Sequence, residues 1–175
     1  IFLSNDYLKF VKNDTNSIHS LEITKYNIDT QLVIYCDRII PNSLMAKNSG
    51  IDVGVNDGIL IDENMRTNDK DIFACGDVAE TINLISKDRE IFHTLNVSEI
   101  QGRIAGSNVA GFEVSYKGMV KTVFYLFNNL KMGITGLNLS QAKNVGYDAS
   151  SITIYNGNYE RFVSGSTKLH IKTVF

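Results

Sequence analysis

The sequence predicts an α/β chain in which a helix lies between two β-rich regions. Residues 1–35 consist of short apolar runs separated by polar turns, a pattern typical of β-strands. A second β-rich region follows Gly111. Between these regions, apolar residues recur near helical spacing from Val97 to Val109, which indicates an amphipathic helix.

Four strand-like runs make up the first region: IFLS, YLKFV, SIHSLEIT and TQLVIYC. We expect hairpin turns at Asn13-Asp14 and at Asn27 to Asp29, because Asn and Asp favour turns. The last run, from Gln31 to Cys36, is almost continuously apolar. That pattern predicts a strand that is covered on both faces and belongs to a buried sheet.

The segment from Arg38 to Asn68 is expected to be rich in loops. It holds the only proline, Pro41, and three glycines that separate short segments, one of which is the strand-like GILID. The next apolar run, Ile72 to Cys75, is expected to be a strand that ends at Gly76-Asp77.

The central helix is predicted from about Asn96 to Ala110. Asn96 and Glu99 are spaced as in a capping box, and Gly111 stands where a C-terminal cap is expected. Gly102 and Gly106, four residues apart, leave a flat strip on this helix. Because glycine is costly inside a helix, we expect another element to pack closely there.

After Gly111 the strand-like runs are MVKTVFYLF, LKMGIT, SSITIY, YERFV and KLHIKTVF. A short helix is predicted at Ser140 to Asn144, closed by Gly146. Asn156-Gly157 predicts a type I′ hairpin turn, since both residues tolerate positive φ. The chain begins without Met and stops at Phe175 inside a β-like run, so we expect it to be a piece of a longer protein.

The composition excludes several function classes. With 43% hydrophobic residues and a formal net charge of −2, the chain has the character of an ordinary globular protein. No basic face suits a nucleic-acid partner. No apolar run reaches the roughly 18 residues of a membrane span, and no signal peptide opens the chain, so we expect a cytoplasmic protein without a membrane partner.

The cysteines and histidines are not arranged as a reactive or metal-binding group. Cys36 and Cys75 form no CxxC pair, and we expect both to be reduced and structural, the alternative being a redox-active thiol. His19, His93 and His170 share no metal-ligand or triad spacing, and each is expected to be a surface or strand residue. Of the three, His93 is the one to examine, because it precedes the central helix. No metal site and no catalytic residue is predicted.

The chemistry is concentrated in the stretch DIFACGDVAE, Asp71 to Glu80. A carboxylate directly after a glycine at the end of a strand, as at Gly76-Asp77, is placed to accept hydrogen bonds from sugar-like hydroxyls. The first N–H groups of the following helix, near Thr94 to Asn96, suit an electron-rich carbonyl. A simple strand-ending turn is the alternative interpretation of the Gly-Asp pair.

Several motifs in the right order resemble the pyridine nucleotide-disulfide oxidoreductase superfamily. The stretch GILIDENMRTNDKDIFACGDVAE, from Gly58 to Glu80, resembles that family's second FAD-binding motif. Pro41-Asn42 is placed like its G-x-x-P-N segment, and NVSEIQGRIAGSN, from Asn96 to Asn108, is similar to its QGRxAGxN helix. The segment beginning at Lys121, KTVFYLFNNLKMGITGLNLSQAKNVGYD, is similar to the opening of the family's last domain.

The resemblance implies part of a Rossmann-like FAD/NAD(P)-binding domain, followed by a small α+β interface domain. Residues 1–35 then end an NAD(P)H-binding domain, residues 36–115 form the second part of the FAD domain, and residues 116–175 form a dimerisation domain that is incomplete. Among subfamilies, the closing domain is most similar to the group of NADH oxidases, CoA-disulfide reductases and nitrite reductase-like enzymes.

The resemblance also implies roles for individual residues. Asp77 is similar to the aspartate that binds the flavin ribityl chain, and Gly76 to the glycine that allows this approach. Leu95 and Asn96 are expected near the flavin pyrimidine edge through their backbone. Gln101 and the two helix glycines are expected to serve packing.

Two features of the sequence differ from the family's pattern. Asp37 stands at or near the position of the family's glycine ahead of the Pro-Asn pair. No G-x-G-x-x-G occurs anywhere, so the first FAD fingerprint and the NAD(P)H fingerprint are both missing. The resemblance implies a homodimeric parent that passes hydride from NAD(P)H through FAD to an acceptor, and the missing fingerprints lead us to expect a chain that is inactive alone. The alternative is a non-catalytic dimerisation or binding module; the sequence does not choose the acceptor, or NADH over NADPH.

Overall fold

The computed structural model describes residues 8–23, 26–34, 38–159 and 164–175. The chain divides into two compact units, residues 1–39 and residues 40–175. Each unit is described by itself below.

The first unit contains a three-stranded antiparallel sheet with its strands in chain order. The strands are β1 (Leu8–Lys12), β2 (Ile18–Ile23) and β3 (Tyr26–Asp29). The predicted turn after β1 is confirmed, because the side chain of Asn13 accepts hydrogen bonds from the N–H groups of Thr15 (3.1 Å) and Ser17 (2.9 Å).

The second turn predicted in this unit is wrong. Asn27 to Asp29 belong to strand β3, in which Asp29 pairs with Ser20 and Tyr26 pairs with Ile23. Pairing with β2 therefore continues through the residues that the composition assigned to a turn. Ladder hydrogen bonds to a neighbouring strand override the local preference of Asn and Asp.

The buried strand predicted from Gln31 to Cys36 is also not observed. Gln31 to Ile34 lie outside any strand, and the side chains of Leu32 and Ile34 are exposed at 74% and 79%. Tyr35 and Cys36 lie outside the described residues. An apolar run becomes a buried strand only when a neighbouring strand pairs with it, and in the described part of the first unit β3 is the last paired strand.

The second unit opens with a helix that the loop-rich composition did not predict, α1 (Leu44–Asn48). A mixed sheet follows, made of β4 (Ile59–Leu60), β5 (Ala79–Ile82) and β6 (Arg89–Glu90). Strand β5 lies in the centre, parallel to β4 and antiparallel to β6. The strand-like GILID motif is thus confirmed in part.

The strand predicted at Ile72 to Cys75 is reduced to one bridge, between Phe73 and Arg66. The N–H of Ala74 donates to the carbonyl of Met65 (3.0 Å), so this segment pairs along one edge. Within the described residues no strand borders its other edge. The regular strand of this region, β5, follows Gly76-Asp77 instead of preceding it.

The central helix is confirmed as α2 (Leu95–Val109), and its buried face completes the core. The core cluster consists of Ile61, Met65, Ala74, Ala79, Ile104 and Ala105. Two of the apolar residues that predicted the helix, Ile100 and Val109, are exposed at 39% and 67%. Their places on the buried face are taken by Gln101 and Asn108, whose amides bond to neighbouring loops.

The ends and glycines of α2 differ from expectation in two ways. Gly111 ends the helix with φ +90°, as predicted, but the N-cap is Thr94 and makes no side-chain capping bond. Asn96 lies inside the first turn, so the predicted capping box is wrong. Gly102 and Gly106 are exposed, and nothing lies within 4 Å of a Cβ added at either. The expected close packing is absent among the described residues.

The last part of the second unit holds two hairpins and a short helix. The elements are β7 (Thr122–Phe127), β8 (Leu130–Thr135), α3 (Leu139–Asn144), β9 (Ser151–Gly157) and β10 (Lys168–Val174). Helix α3 is confirmed, with a capping box between Asn138 and Gln141 and Gly146 after it at φ +93°.

The hairpin turn predicted at Asn156-Gly157 is wrong. Both residues belong to β9, where Gly157 pairs with Lys168 and Asn156 pairs with Leu169. Strand pairing with β10 extends past the turn signal, and neither residue has positive φ. The predicted strand YERFV lies mostly outside the described residues, which stop at Tyr159 and resume at Ser164.

Candidate functional site

The site begins with a tight turn at Gly76. This residue has φ +80°, a conformation that costs glycine little and other residues more. Its N–H donates to Oε1 of Gln101 (2.7 Å), and its carbonyl accepts from the N–H of Ala79 (3.0 Å). The turn is therefore fixed to helix α2 on one side and to strand β5 on the other.

Asp77 is the next residue, and its side chain is 62% exposed. One carboxylate oxygen, Oδ1, accepts a hydrogen bond from Oγ of Ser98 (2.8 Å). The other, Oδ2, lies 3.9 Å from Nδ1 of His93, which is too far for a direct hydrogen bond. The carboxylate is thus held at one oxygen and open to a ligand at the other.

The N-terminus of α2 lies beside this carboxylate, since Ser98 in its first turns contacts Asp77. Leu95 and Asn96 are exposed, and as the first helical residues they have no intrahelical partner for their N–H groups. These N–H groups and the positive end of the helix dipole suit a partly negative ligand atom. All four predicted site residues, Gly76, Asp77, Leu95 and Asn96, therefore lie in one exposed region of the second unit.

Sequence reasoning missed Ser98 and gave Gln101 only a packing role. Both lie on one face of α2, three residues apart, and both bond to the Gly76-Asp77 turn. Gln101 is 1% exposed, which agrees with the predicted structural role. A polar pair at helical spacing, one turn after a helix start, is the signal that could have identified Ser98.

The other candidate reactive residues are the histidines and the cysteines. His19 lies in β2 and His170 in β10, as expected for surface or strand residues, and His170 makes an edge contact with the ring of Tyr155. His93 alone approaches a candidate site residue. Cys75 is a free thiol of intermediate exposure, and Cys36 lies outside the described residues.

Two further features are absent from the described part of the chain, a metal-binding cluster and a membrane-spanning helix. In that part, no three His, Cys, Asp or Glu side chains come together in a way that could hold a metal ion. Over the same residues, no helix has the length and apolar character needed to cross a membrane.

A surface cavity of about 430 Å³ lies next to the mixed sheet and is bordered on one side by Tyr116 and Lys117. The hydroxyl of Tyr116 is buried and has no hydrogen-bond partner among the described residues. Burial raises the pKa of the Tyr116 phenol above its ordinary value of 10.0, because the phenolate loses hydration.

Replacing Tyr116 by phenylalanine is expected to raise the free energy of unfolding at neutral pH by about 1 kcal/mol, because it removes an unpaired buried hydroxyl. The raised pKa adds a pH dependence. The unfolded state loses its proton near pH 10 while the folded state keeps it, so the wild type loses stability as pH rises above about 10. Urea unfolding at neutral pH and at about pH 10.5 measures both effects; Tyr159→Phe, at an exposed tyrosine, is expected to change neither.

The comparisons with known proteins agree with the motifs. A family model described as pyridine nucleotide-disulphide oxidoreductase matches residues 2–99. The NAD(P)H sulfur oxidoreductase (CoA-dependent) of Pyrococcus furiosus is 33% identical over 143 residues, which are 82% of this chain and 32% of that protein. The NADH oxidase of Enterococcus faecalis is 27% identical over 175 residues, which are 99% of this chain and 39% of that protein. The chain therefore spans about a third of the length of these relatives.

Solved structures show the same fold. An NAD-dependent persulfide reductase from A. fulgidus matches 98% of this chain with a TM-score of 0.86 and 25% identity, and the match covers 32% of that structure. A water-forming NADH oxidase from Lactobacillus brevis matches 97% of this chain with a TM-score of 0.84. The predicted α/β fold and the family resemblance are confirmed, and the chain belongs to the pyridine nucleotide-disulphide oxidoreductase family.

Proposed function

We propose that this chain contributes part of the flavin site of an FAD-dependent enzyme that takes hydride from NAD(P)H and passes electrons to an acceptor. The observation that carries this proposal is the open carboxylate of Asp77, presented by the positive-φ turn at Gly76 next to the N-terminus of α2. When bound, FAD supplies the redox chemistry, and the residues of this chain bind and orient it.

The residues present fit such a cofactor. A ribityl chain is a polyol, and the free oxygen Oδ2 of Asp77 can accept a hydrogen bond from one of its hydroxyls. The N–H groups of Leu95 and Asn96 can donate to the electron-rich pyrimidine edge of the flavin. Gly76 keeps side-chain atoms out of the turn on which the ribityl chain would lie.

The chain supplies only part of the enzyme in this proposal. A glycine-rich turn usually binds the dinucleotide pyrophosphate, and the 175 residues contain no G-x-G-x-x-G. We therefore assign the rest of FAD and the NAD(P)H site to residues outside this chain, and we expect residues 1–175 alone to show neither bound flavin nor turnover. The assignment of residues 1–35, 36–115 and 116–175 to three domains stays a prediction, as does the cytoplasmic location.

The relatives do not select an acceptor. The Pyrococcus furiosus relative is named for sulfur and coenzyme A, whereas the Enterococcus faecalis relative is named an NADH oxidase. Both names require NADH or NADPH as the electron donor. We propose the shared half-reaction, NAD(P)H oxidation through FAD, and leave the acceptor open.

In the full-length protein that contains this chain, Asp77→Ala is expected to lower FAD affinity by about 10- to 100-fold. This range corresponds to the loss of a hydrogen bond to a charged group, about 1.5–3 kcal/mol. Fluorescence titration of the apoprotein with FAD measures the dissociation constant directly.

Asp71→Asn is the matched control for this change. Asp71 is exposed and precedes Asp77 by six residues, and the hydrogen bond it makes among the described residues joins its backbone N–H to Asp69 in its own turn. Its substitution is expected to leave FAD affinity unchanged. Equal FAD affinity in Asp77→Ala and in the wild type would overturn the proposed flavin site.

A second candidate function is a dimerisation module, and the β7–β8 hairpin favours it. Phe124, Leu126 and Phe127 are exposed at 68%, 66% and 79%. Phe124 and Leu126 point to the same side of the strand, because alternate residues share a face. A hairpin with this much exposed apolar surface is typical of a protein interface.

Residues 1–175 are expected to sediment as a dimer, and Phe124→Asp with Leu126→Asp is expected to shift the equilibrium to monomer. The charges would enter the apolar face proposed to be covered by the second copy. Lys143→Glu, at an exposed residue of α3 outside the hairpin, changes the charge without altering the apolar face and serves as the control. A wild-type chain that stays monomeric at high concentration would contradict this role.

A further inference from the structure

We propose that Ser98 and His93 complete the Asp77 site: Ser98 fixes one carboxylate oxygen, and a single hydroxyl of the bound polyol bridges the other oxygen and the imidazole of His93. This inference deepens the flavin-site proposal and rests on it. Ser98 acts as a positioning residue, because it works through Asp77, whereas His93 contacts the ligand.

The carboxylate needs a positioning partner because it is exposed. A side chain with 62% exposure is free to rotate unless a bond fixes it. The 2.8 Å bond from Oγ of Ser98 to Oδ1 supplies that restraint. Gln101, on the same face of α2, holds the N–H of Gly76 at 2.7 Å. Backbone and side chain of the turn are therefore fixed by the same helix face.

The distance between Oδ2 of Asp77 and Nδ1 of His93 allows one hydroxyl oxygen to contact both atoms. Oδ2 and Nδ1 are 3.9 Å apart, which is too long for a direct hydrogen bond. An oxygen atom to one side of the line that joins them can lie about 2.8 Å from each, donating to the carboxylate and accepting from Nδ1–H. A polar contact longer than 3.5 Å is a place where a bridging oxygen is expected.

The position of His93 at the start of helix α2 places its ring next to Asp77. It lies directly before Thr94, the N-cap of α2, and its side chain is 28% exposed. Its Nδ1 lies 3.9 Å from Oδ2 of Asp77, so the ring faces the open oxygen of the carboxylate. The bridging arrangement selects a neutral donor-acceptor group such as a hydroxyl, because a carboxylate or phosphate oxygen would be repelled by Asp77.

The test measures FAD binding to the full-length apoprotein by fluorescence titration. Ser98→Ala and His93→Ala are each expected to weaken binding about 5- to 10-fold, as expected for one hydrogen bond. Ser98→Thr keeps the hydroxyl and is expected to stay within about 2-fold of the wild type. Ser107→Ala, on the same helix and without a side-chain contact to the turn, is the matched control and is expected to have no effect.

The same titration in an Asp77→Ala background separates positioning from general damage. If Ser98 works through Asp77, Ser98→Ala costs no further affinity once Asp77 is gone, whereas a structural role gives additive losses. Additive losses, or unchanged affinity in both Ser98→Ala and His93→Ala, would overturn this inference. Unchanged affinity in Asp77→Ala would instead refute the flavin site itself, so the two failures are distinguishable.

A crystal structure of residues 1–175 supplies a readout that needs no cofactor. The wild type and Ser98→Thr are expected to show the Asp77 carboxylate in one rotamer with an ordered oxygen between Oδ2 and Nδ1 of His93. Ser98→Ala is expected to show another rotamer or several. An unchanged Asp77 rotamer in Ser98→Ala would contradict the positioning role.

Discussion

Replacing Glu80 by alanine is expected to lower the free energy of unfolding by about 3–5 kcal/mol. Glu80 is fully buried, and its Oε1 accepts hydrogen bonds from the N–H groups of Asn56 (3.0 Å) and Gly58 (3.1 Å). Alanine leaves the buried N–H of Gly58 unpaired, at about 1–3 kcal/mol, removes the acceptor of the more exposed N–H of Asn56, and leaves a cavity. Denaturant unfolding of residues 1–175 measures the change.

Glu80→Gln is the matched control, because its amide oxygen keeps the acceptor for both N–H groups. The other carboxylate oxygen, Oε2, is buried and has no hydrogen-bond partner among the described residues, so its replacement costs no hydrogen bond observed there. We expect Glu80→Gln to stay within about 1 kcal/mol of the wild type. A loss in Glu80→Gln as large as that in Glu80→Ala would contradict the acceptor role.

Gly54 provides a second check on the same contact. A Cβ added at Gly54 lies 2.2 Å from Oε2 of Glu80, so Gly54→Ala forces the carboxylate out of its place. In a Glu80→Ala background that clash disappears, so the two losses are expected to be less than additive. Glu80 lies in strand β5, three residues after Asp77, so these contacts join the strand that follows the candidate turn to the segment before β4.

Elements stabilised by neighbours in sequence could be predicted from the sequence. Helix α2 follows from apolar spacing and from the glycine at position 111, and α3 follows from Asn138, Gln141 and Gly146. The turn at Asn13 is closed by its own side chain. In α3 and in the turn at Asn13 the contacts join residues within about one helical turn or one β-turn of each other.

Elements that depend on a distant partner could not be predicted. The segment Gln31 to Ile34 has the composition of a buried strand, but no strand pairs with it in the described residues. Asn156-Gly157 has the composition of a turn, but β10 pairs with it. Composition indicates which structures a segment can form, and pairing with a distant strand determines which of them it forms.

The candidate site shows the same division. Gly76 and Asp77 were found because they are adjacent in one motif, and Leu95 and Asn96 were found because they begin a helix that resembles a family motif. Ser98 was missed because its contact with Asp77 joins residues 21 positions apart. Glu80 was quoted as the last residue of the motif, but its two backbone partners precede it by more than twenty residues.

Replacing Gly118 by alanine is expected to destabilise the second unit by about 4 kcal/mol. Gly118 has φ +126°, which is nearly restricted to glycine and costs other residues about 1–3 kcal/mol. A Cβ added there also lies 2.3 Å from the backbone oxygen of Ile82. That oxygen accepts the N–H of Met119 (2.8 Å), so it cannot move away without breaking the bond that joins the last part of the chain to β5.

Gly111→Ala separates the steric effect from the backbone strain. Gly111 also has positive φ, at +90°, but nothing lies within 4 Å of a Cβ added there. It is expected to cost about 1–2 kcal/mol, the strain alone. Denaturant unfolding of both variants gives the comparison, and limited proteolysis reports whether residues 120–175 detach in Gly118→Ala. Equal losses in the two variants would show that the contact with Ile82 does not hold the last part of the chain, because strain is the only cost that they share.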